Sequence, residues 1–251
     1  MNGQLAVVPE MDDGPVHRSI LAVDVEGSTK RTNPVKGQLR RVLYELLEQA
    51  LAAAGIGPRH LEEMGDRGDG VLVLIRPHDD VPKTVLFRQV IPVLTALLAD
   101  YNKSVTEPAL RMRLRTVIHA GEVHDDGRGF YGDDLDVAFR LLEAPAVKGA
   151  LRKAPEAPLV LVVSEEIWAS VVRHGYCGGV YDQHVRVKVG ERMRHGRVDL
   201  PVPGQLDPSA RLPRPRFMRS APALSIASLT EPSERASATH VASQIARHQS
   251  S

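Results

Sequence analysis

The chain has very few of the residue types that mark secreted and membrane proteins. It contains a single cysteine, Cys177, so no disulfide can form within the chain, and this usage predicts a cytoplasmic location. The most apolar helical stretch, residues 85–98, is interrupted by Arg88 and Pro92. The N-terminus lacks a basic start followed by an apolar core. The sequence therefore predicts neither a membrane span nor a signal peptide.

Charge and aromatic content argue against a nucleic-acid-binding protein. Lysine and arginine number 32 against 31 acidic residues, which leaves a formal net charge of +1, and aromatic residues make up only 4% of the chain. Nucleic-acid-binding modules combine a basic face with stacking aromatics. We therefore expect no nucleic-acid partner and no membrane partner. The 251 residues, 43% of them hydrophobic, suffice for one well-buried domain.

The distribution of proline, glycine and serine divides the chain into three parts. Residues 1–16 lack hydrophobic periodicity and predict a flexible arm. Residues 17–202 alternate apolar strands with amphipathic helices and predict the folded domain. Residues 203–251 are rich in Pro, Ser, Ala and Arg and predict a disordered tail. Its faint apolar run at 221–229 leaves a protein partner open, although a plain flexible tail is the favoured interpretation.

The folded part predicts an α+β domain. Its pattern is strand, helix, hairpin, helix, strand, helix, strand, helix and hairpin. This order is typical of a ferredoxin-like, antiparallel-rich sheet with helices packed on one face. One helix is predicted at residues 81–101, and another runs from a cap at Asp133 or Asp134 to residue 152.

Two carboxylates stand where predicted strands end. Asp24 closes an apolar run and is followed by the turn residues Gly27, Ser28 and Thr29. Asp69 lies between two glycines in a hairpin joint, just before another apolar run. Carboxylates at strand ends can hold a divalent cation against phosphates, although each can also simply cap its own turn.

Three segments in the same order and spacing resemble one family. They are AVDVEGST at 22–29, GDGVLV at 68–73, and RTVIHAGEV at 115–123 with DVAFRLL at 136–142. They are similar to the metal-binding strand end, the hairpin aspartate, and the long strand with its Asn-x-x-x-Arg helix in class III nucleotidyl cyclases. These are the adenylate and guanylate cyclase catalytic domains. Over residues 16–202 the chain resembles a divergent member with the nucleotide cyclase fold.

The resemblance implies a reaction and a metal site. In that family the ribose 3′-hydroxyl of a nucleoside triphosphate attacks the α-phosphate, giving a cyclic monophosphate and pyrophosphate. Two divalent ions assist. Asp24, Asp69 and the Val25 carbonyl are thereby implied as ligands of two Mg²⁺ or Mn²⁺ ions. Contacts to the β- and γ-phosphates are implied for four consecutive amides, those of Glu26, Gly27, Ser28 and Thr29.

The resemblance also implies residues from a second chain. Arg140 matches the arginine that stabilises charge in the transition state, and Asp136 replaces the asparagine four positions before it. Lys188 lies in the hairpin where the family has a triphosphate-binding lysine. Because the family's sites form between two chains, a homodimer is implied.

The positions that read the base depart from the family. The purine-selecting lysine before the hairpin aspartate is absent, with Arg67 as the nearest cation, and the base-selecting aspartate or threonine aligns with Gly129. Two hypotheses follow. The first is an active cyclase that reads another base, such as a pyrimidine, and the retained carboxylates and arginine favour it. The second is a catalytically silent cyclase-homology domain that dimerises or senses nucleotides, and the altered base-reading positions favour it.

Two further titratable residues have a plain interpretation. His119 lies in the alternating long strand and is expected to be a hydrogen-bonded core or interface histidine rather than a metal ligand. Asp66 is expected to form a salt bridge with Arg67 rather than to bind metal.

Overall fold

A computed structural model describes residues 14–204 of the chain. Of the predicted arm, residues 1–13 lie outside this range, and residue 16 already belongs to the first strand. Of the predicted tail, residues 205–251 lie outside it, including the apolar run at 221–229.

Residues 14–204 form eight strands and five α-helices. The strands are β1 (Val16–Val25), β2 (Leu61–Asp66), β3 (Gly70–Ile75), β4 (Leu114–Asp125), β5 (Phe130–Tyr131), β6 (Leu159–Ser164), β7 (Gln183–Val189) and β8 (Arg192–Asp199). The α-helices are α1 (Asn33–Ala53), α2 (Ile91–Ser104), α3 (Asp133–Leu142), α4 (Pro145–Lys153) and α5 (Glu165–Ser170). No helix in this range is long and apolar enough to cross a bilayer.

The strands form one mixed sheet in which antiparallel pairs dominate. Its order is β2-β3-β1-β4-β6-β8-β7, and β5 pairs with the end of β4. The pairing of β4 with β6 is parallel, and their connection runs through α3 and α4. The other pairs are antiparallel. The predicted α+β class with an antiparallel-rich sheet is confirmed.

Apolar side chains are buried on both faces of this sheet. Ile20 and Ala22 of β1 join a core with Leu135 of α3 and other residues of α3 and α4. Their neighbours Leu21 and Val23 point to the opposite face and are equally buried. Helices α1 and α2 pack against each other and carry further buried residues. The prediction that helices cover one face only is therefore wrong.

Two prolines reshape the predicted helices. A π-helical turn, Leu86–Val90, precedes α2. Pro92 accounts for this irregular turn, because proline has no backbone N–H to donate to the preceding turn of the helix. The helix predicted to run to residue 152 is broken at Ala144, which is extended immediately before Pro145. The N-cap of α3 is Gly132 rather than an aspartate.

Candidate functional site

The pairing of β1 with β3 brings the two sequence-predicted carboxylates to one end of the sheet. Asp24 lies opposite Gly70, and the Val25 N–H donates to the Asp69 carbonyl at 3.1 Å. A Cβ atom on Gly70 would collide with the Val23 carbonyl oxygen and lie 3.1 Å from Cβ of Asp24. Glycine at this position therefore lets β3 approach β1 closely beside Asp24.

Asp24 is bound by an arginine from the neighbouring strand. Arg115 donates from Nε to Oδ1 of Asp24 at 2.7 Å, and its Nη2 lies 2.6 Å from Oδ2. Nη2 also lies 3.1 Å from Glu143, which in turn pairs with Lys148 at 2.5 Å. The site therefore contains a row of four alternating charges, of which sequence reasoning found only Asp24.

One sequence signal could have identified Arg115. It stands between Leu114 and Thr116 at the start of β4, and all three residues are buried. A charge inside such a strand requires a partner of opposite charge. Asp24, 7% exposed, is the direct cross-strand neighbour of Arg115, 8% exposed.

Burial changes the protonation of this pair. It raises the pKa of Asp24 to about 7, although Arg115 pulls the value down, and the nearby Glu143 adds to the rise. Proton uptake by Asp24 therefore falls within the physiological pH range. A cation that uses this carboxylate competes both with that proton and with Arg115.

Asp69 is held by the turn that follows β1. The buried Ser28 hydroxyl donates to Oδ2 of Asp69. Gly27 adopts φ 66°, a left-handed conformation that favours glycine, and opens a single 3₁₀ turn at Ser28–Lys30. Ser28 thus fixes the orientation of the second carboxylate.

One of the four amides expected to contact phosphates is already engaged. The Glu26 N–H donates to the Arg113 carbonyl at 2.9 Å, and the Glu26 carboxylate lies 2.7 Å from Nη2 of Arg113. The amides of Ser28 and Thr29 begin a helical turn and so have no acceptor within that turn.

The donor set at this sheet end fits a hard divalent cation. Carboxylate and carbonyl oxygens are the ligands that Mg²⁺ and Mn²⁺ prefer. In the described part of the chain, side-chain donors bond only one oxygen of Asp69 but both oxygens of Asp24. Because Arg115 already contacts both oxygens of Asp24, a cation that uses this carboxylate would have to displace the guanidinium.

The residues implied to come from a second chain do not join these carboxylates within one chain. Arg140 and Asp136 are exposed on α3, and neither has an ion-pair partner among residues 14–204. Lys188 is exposed on the edge strand β7 and lies 3.3 Å from Glu191. Four strand spacings separate β7 from β1, which amounts to roughly 19 Å.

The two positions that select the base in purine cyclases hold Arg67 and Gly129 in this chain. The Arg67 guanidinium stands over the ring of Phe139, 5.2 Å from its centroid. Gly129 lies in a tight turn, where its N–H donates to the Asp126 carboxylate at 3.0 Å. Neither position holds the lysine or the aspartate or threonine of a purine site.

Of the predictions made for His119 and Asp66, one is confirmed and the other is wrong in its partner. His119 is fully buried, with Nδ1 2.7 Å from the Ser164 hydroxyl and Nε2 3.1 Å from Asp134, so the prediction of a core histidine is confirmed. Asp66 does form a salt bridge, but with Arg40 at 2.6 Å. The predicted partner, Arg67, is therefore wrong.

Comparison with known proteins adds to this geometry. No protein-family model and no curated protein sequence matches the chain. Among solved structures, an adenylate/guanylate cyclase/hydrolase from Silicibacter pomeroyi is 19% identical, with 75% of this chain and 99% of that chain covered and a TM-score of 0.53. The adenylyl cyclase CyaB from P. aeruginosa is 15% identical, with 77% and 98% covered and a TM-score of 0.52. The described chain therefore has the fold of the class III adenylyl and guanylyl cyclase domains.

Proposed function

We propose that the domain at residues 17–202 is a nucleotidyl cyclase that converts a nucleoside triphosphate into a cyclic nucleoside monophosphate and pyrophosphate. One observation supports this proposal above the others: Asp24 and Asp69 lie at the same end of the sheet in a chain with the cyclase fold. The presence of both acidic side chains beside a serine-fixed turn supports the cyclase over a silent scaffold.

The metal-binding role falls to three oxygen-bearing groups. Asp24, Asp69 and the Val25 carbonyl would hold two Mg²⁺ or Mn²⁺ ions, which when bound would stabilise charge on the 3′-oxygen and the phosphates. Ser28 fixes the Asp69 carboxylate for this purpose. Arg115 neutralises Asp24 in the absence of a cation, and Glu143 lies close enough to keep Arg115 paired when Asp24 is released.

Substrate phosphates would be bound by the turn after β1 and by a second copy of the chain. The amides of Gly27, Ser28 and Thr29 are the proposed contacts from the first copy, since that of Glu26 is engaged by Arg113. Arg140, Asp136 and Lys188 are the proposed contributions of the second copy. The exposure of Arg140, without an ion-pair partner in the described residues, leaves its charge available for a substrate.

Base selection is expected to differ from that of purine cyclases. Asp136 can accept but not donate a hydrogen bond, Arg67 rests on Phe139, and Gly129 has no side chain. We therefore propose that no purine-specific pair operates, and that a pyrimidine triphosphate can serve as substrate.

A product assay tests this proposal. The purified chain is incubated with Mn²⁺ and each of the four ribonucleoside triphosphates, and cyclic monophosphate and pyrophosphate are quantified. Asp24→Ala should abolish product, whereas the exposed Asp182→Ala should not. If no triphosphate yields product and none binds in a metal-dependent way, the domain is a silent cyclase homologue. If product persists in Asp24→Ala, the assigned metal site is wrong.

A further inference from the structure

A second group of possible ligands lies at the opposite end of the β2–β3 hairpin. His60 directly precedes β2, and His78 and Asp80 follow β3. Leu61 pairs with Ile75, and the Arg76 N–H donates to the His60 carbonyl at 2.8 Å, so the hairpin itself holds the two loops together. The six residues of β3 place this group roughly 20 Å from the Asp69 turn. It is therefore separate from the proposed nucleotide site.

The geometry of the group is close to that of a zinc site. One nitrogen of each imidazole and one oxygen of Asp80 all lie within 4.8 Å of one another. Nδ1 of His78 is 3.5 Å from Oδ2 of Asp80, and the two imidazole rings are 5.0 Å apart at 68°. Ligands at about 2.0–2.1 Å from a tetrahedral zinc are separated by about 3.4 Å. Side-chain movements of about 1 Å therefore complete the site.

Two N–H donors compete for the single lone pair of the His60 ring. His60 is only 2% exposed, and two N–H donors approach its ring: that of Gly57 at Nδ1, 3.2 Å away, and that of Arg59 at Nε2, 3.0 Å away. A neutral imidazole has one lone pair and one N–H, so it can accept only one of these two hydrogen bonds. Only one of the two contacts is therefore a true hydrogen bond, and the position of the ring proton of His60 decides which one it is.

Arg59 is the donor that can leave. Its side chain is 70% exposed, and its ion pair with the exposed Asp80, at 2.9 Å, is of the weak surface type. When the proton of His60 is on Nδ1, the Nε2 atom carries the lone pair that accepts from Arg59. Rotation of Arg59 into solvent then frees this lone pair and the carboxylate of Asp80 together. A divalent cation then replaces the guanidinium charge between them.

We propose that His60, His78 and Asp80 bind one zinc ion, with water as a fourth ligand. Two imidazoles and one carboxylate form a donor set that selects zinc over magnesium, which prefers oxygen ligands. The ion joins the loop before β2 to the loop after β3 at the edge of the sheet. It thereby stabilises the hairpin that carries Asp69 at its other end.

Metal titration of the full-length chain tests the site. Co²⁺, whose visible absorption reports low coordination numbers, is added to the protein and then displaced with Zn²⁺. One equivalent should bind with this absorption, whereas Co²⁺ at the oxygen ligands of the proposed nucleotide site would be octahedral and absorb only weakly. His78→Ala and Asp80→Ala, both at exposed positions and so expected to fold, should each weaken binding by at least the ~10–100-fold typical of lost outer-shell partners. The exposed His195→Ala should bind like the wild type, and Arg59→Ala should bind more tightly.

Thermal unfolding gives an independent readout. Zn²⁺ should raise the Tm of the wild type and of His195→Ala but not that of His78→Ala. The proposal is overturned if the wild type binds no stoichiometric Co²⁺ or Zn²⁺, or if binding is unchanged in both His78→Ala and Asp80→Ala. Cyclase activity is not a readout in either experiment, so failure here leaves the proposed function standing.

Discussion

Arg115 and Asp24 face each other directly across β4 and β1, and the guanidinium contacts both carboxylate oxygens, at 2.7 and 2.6 Å. The pair is buried, so its desolvation cost is offset only while both partners are present. Glu143, 3.1 Å from Arg115, offers the guanidinium a second carboxylate. Asp24 is therefore held in an ion pair, and a cation that binds it, as proposed, would have to exchange with the guanidinium.

Removal of Arg115 should destabilise the domain in a pH-dependent way. Arg115→Met leaves Asp24 buried without a counter-charge, and we expect a loss of about 3–5 kcal/mol in the free energy of unfolding at pH 8. The folded-state pKa of Asp24 is raised above its unfolded value, so the folded state takes up the proton more readily, and stability falls as pH rises from about 4 towards the folded pKa. Arg115 lowers the pKa of Asp24, so its removal raises that pKa further and leaves Asp24 protonated and neutral at pH 6. The loss should therefore be smaller at pH 6, as measured by urea unfolding.

A surface arginine provides the control for this variant. Arg40→Met removes the exposed pair with Asp66 and should cost no more than about 1 kcal/mol at either pH. If Arg115→Met lowered the free energy of unfolding equally at pH 6 and pH 8, the unpaired charge of Asp24 would not be the cause of the destabilisation.

Manganese binding should strengthen as pH rises through 7. Asp24 has a pKa of about 7, and its protonated form is not a metal ligand. For a single proton with this pKa, apparent Mn²⁺ affinity should increase about tenfold between pH 6 and pH 8. Calorimetric titration of the wild type and of Asp24→Asn measures this, and the variant should show weaker binding and a flat profile. A flat profile in the wild type would remove Asp24 from the ligand set.

Two inactive variants should restore activity when mixed. Arg140→Ala should lower activity by about 10²–10³-fold without loss of stability, because Arg140 is exposed and lacks an ion-pair partner within residues 14–204. If the site lies between two copies, a heterodimer of Arg140→Ala with Asp24→Ala contains one intact site. Random 1:1 exchange of subunits should then recover about a quarter of wild-type activity. Heterodimers that form but remain inactive would place both residues in the same half of the site.

The strand ends that carry the carboxylates could be predicted from local sequence patterns. The contacts that depend on the register between strands could not. Asp24 and Asp69 could be identified because each ends or precedes an apolar run that forms a strand. The Arg115–Asp24 pair joins residues 91 positions apart, and only the register of β1 against β4 brings them together. The break at Pro145 was present in the sequence, but the apolar periodicity on both sides of it masked the interruption.

Gly121 should tolerate no side chain, because its space is taken by Asp134. A Cβ atom there would overlap the Asp134 carboxylate, which accepts from the Glu122 N–H at 2.7 Å and lies 3.1 Å from Nε2 of His119. Gly121→Ala should therefore displace Asp134, leave the buried His119 without one partner and lower the free energy of unfolding by about 1–3 kcal/mol. Gly129→Ala is the matched control, since open space surrounds that position and its change should stay within about 0.5 kcal/mol. Urea unfolding of both variants decides the matter, and equal stability would show that Asp134 can move away at no cost.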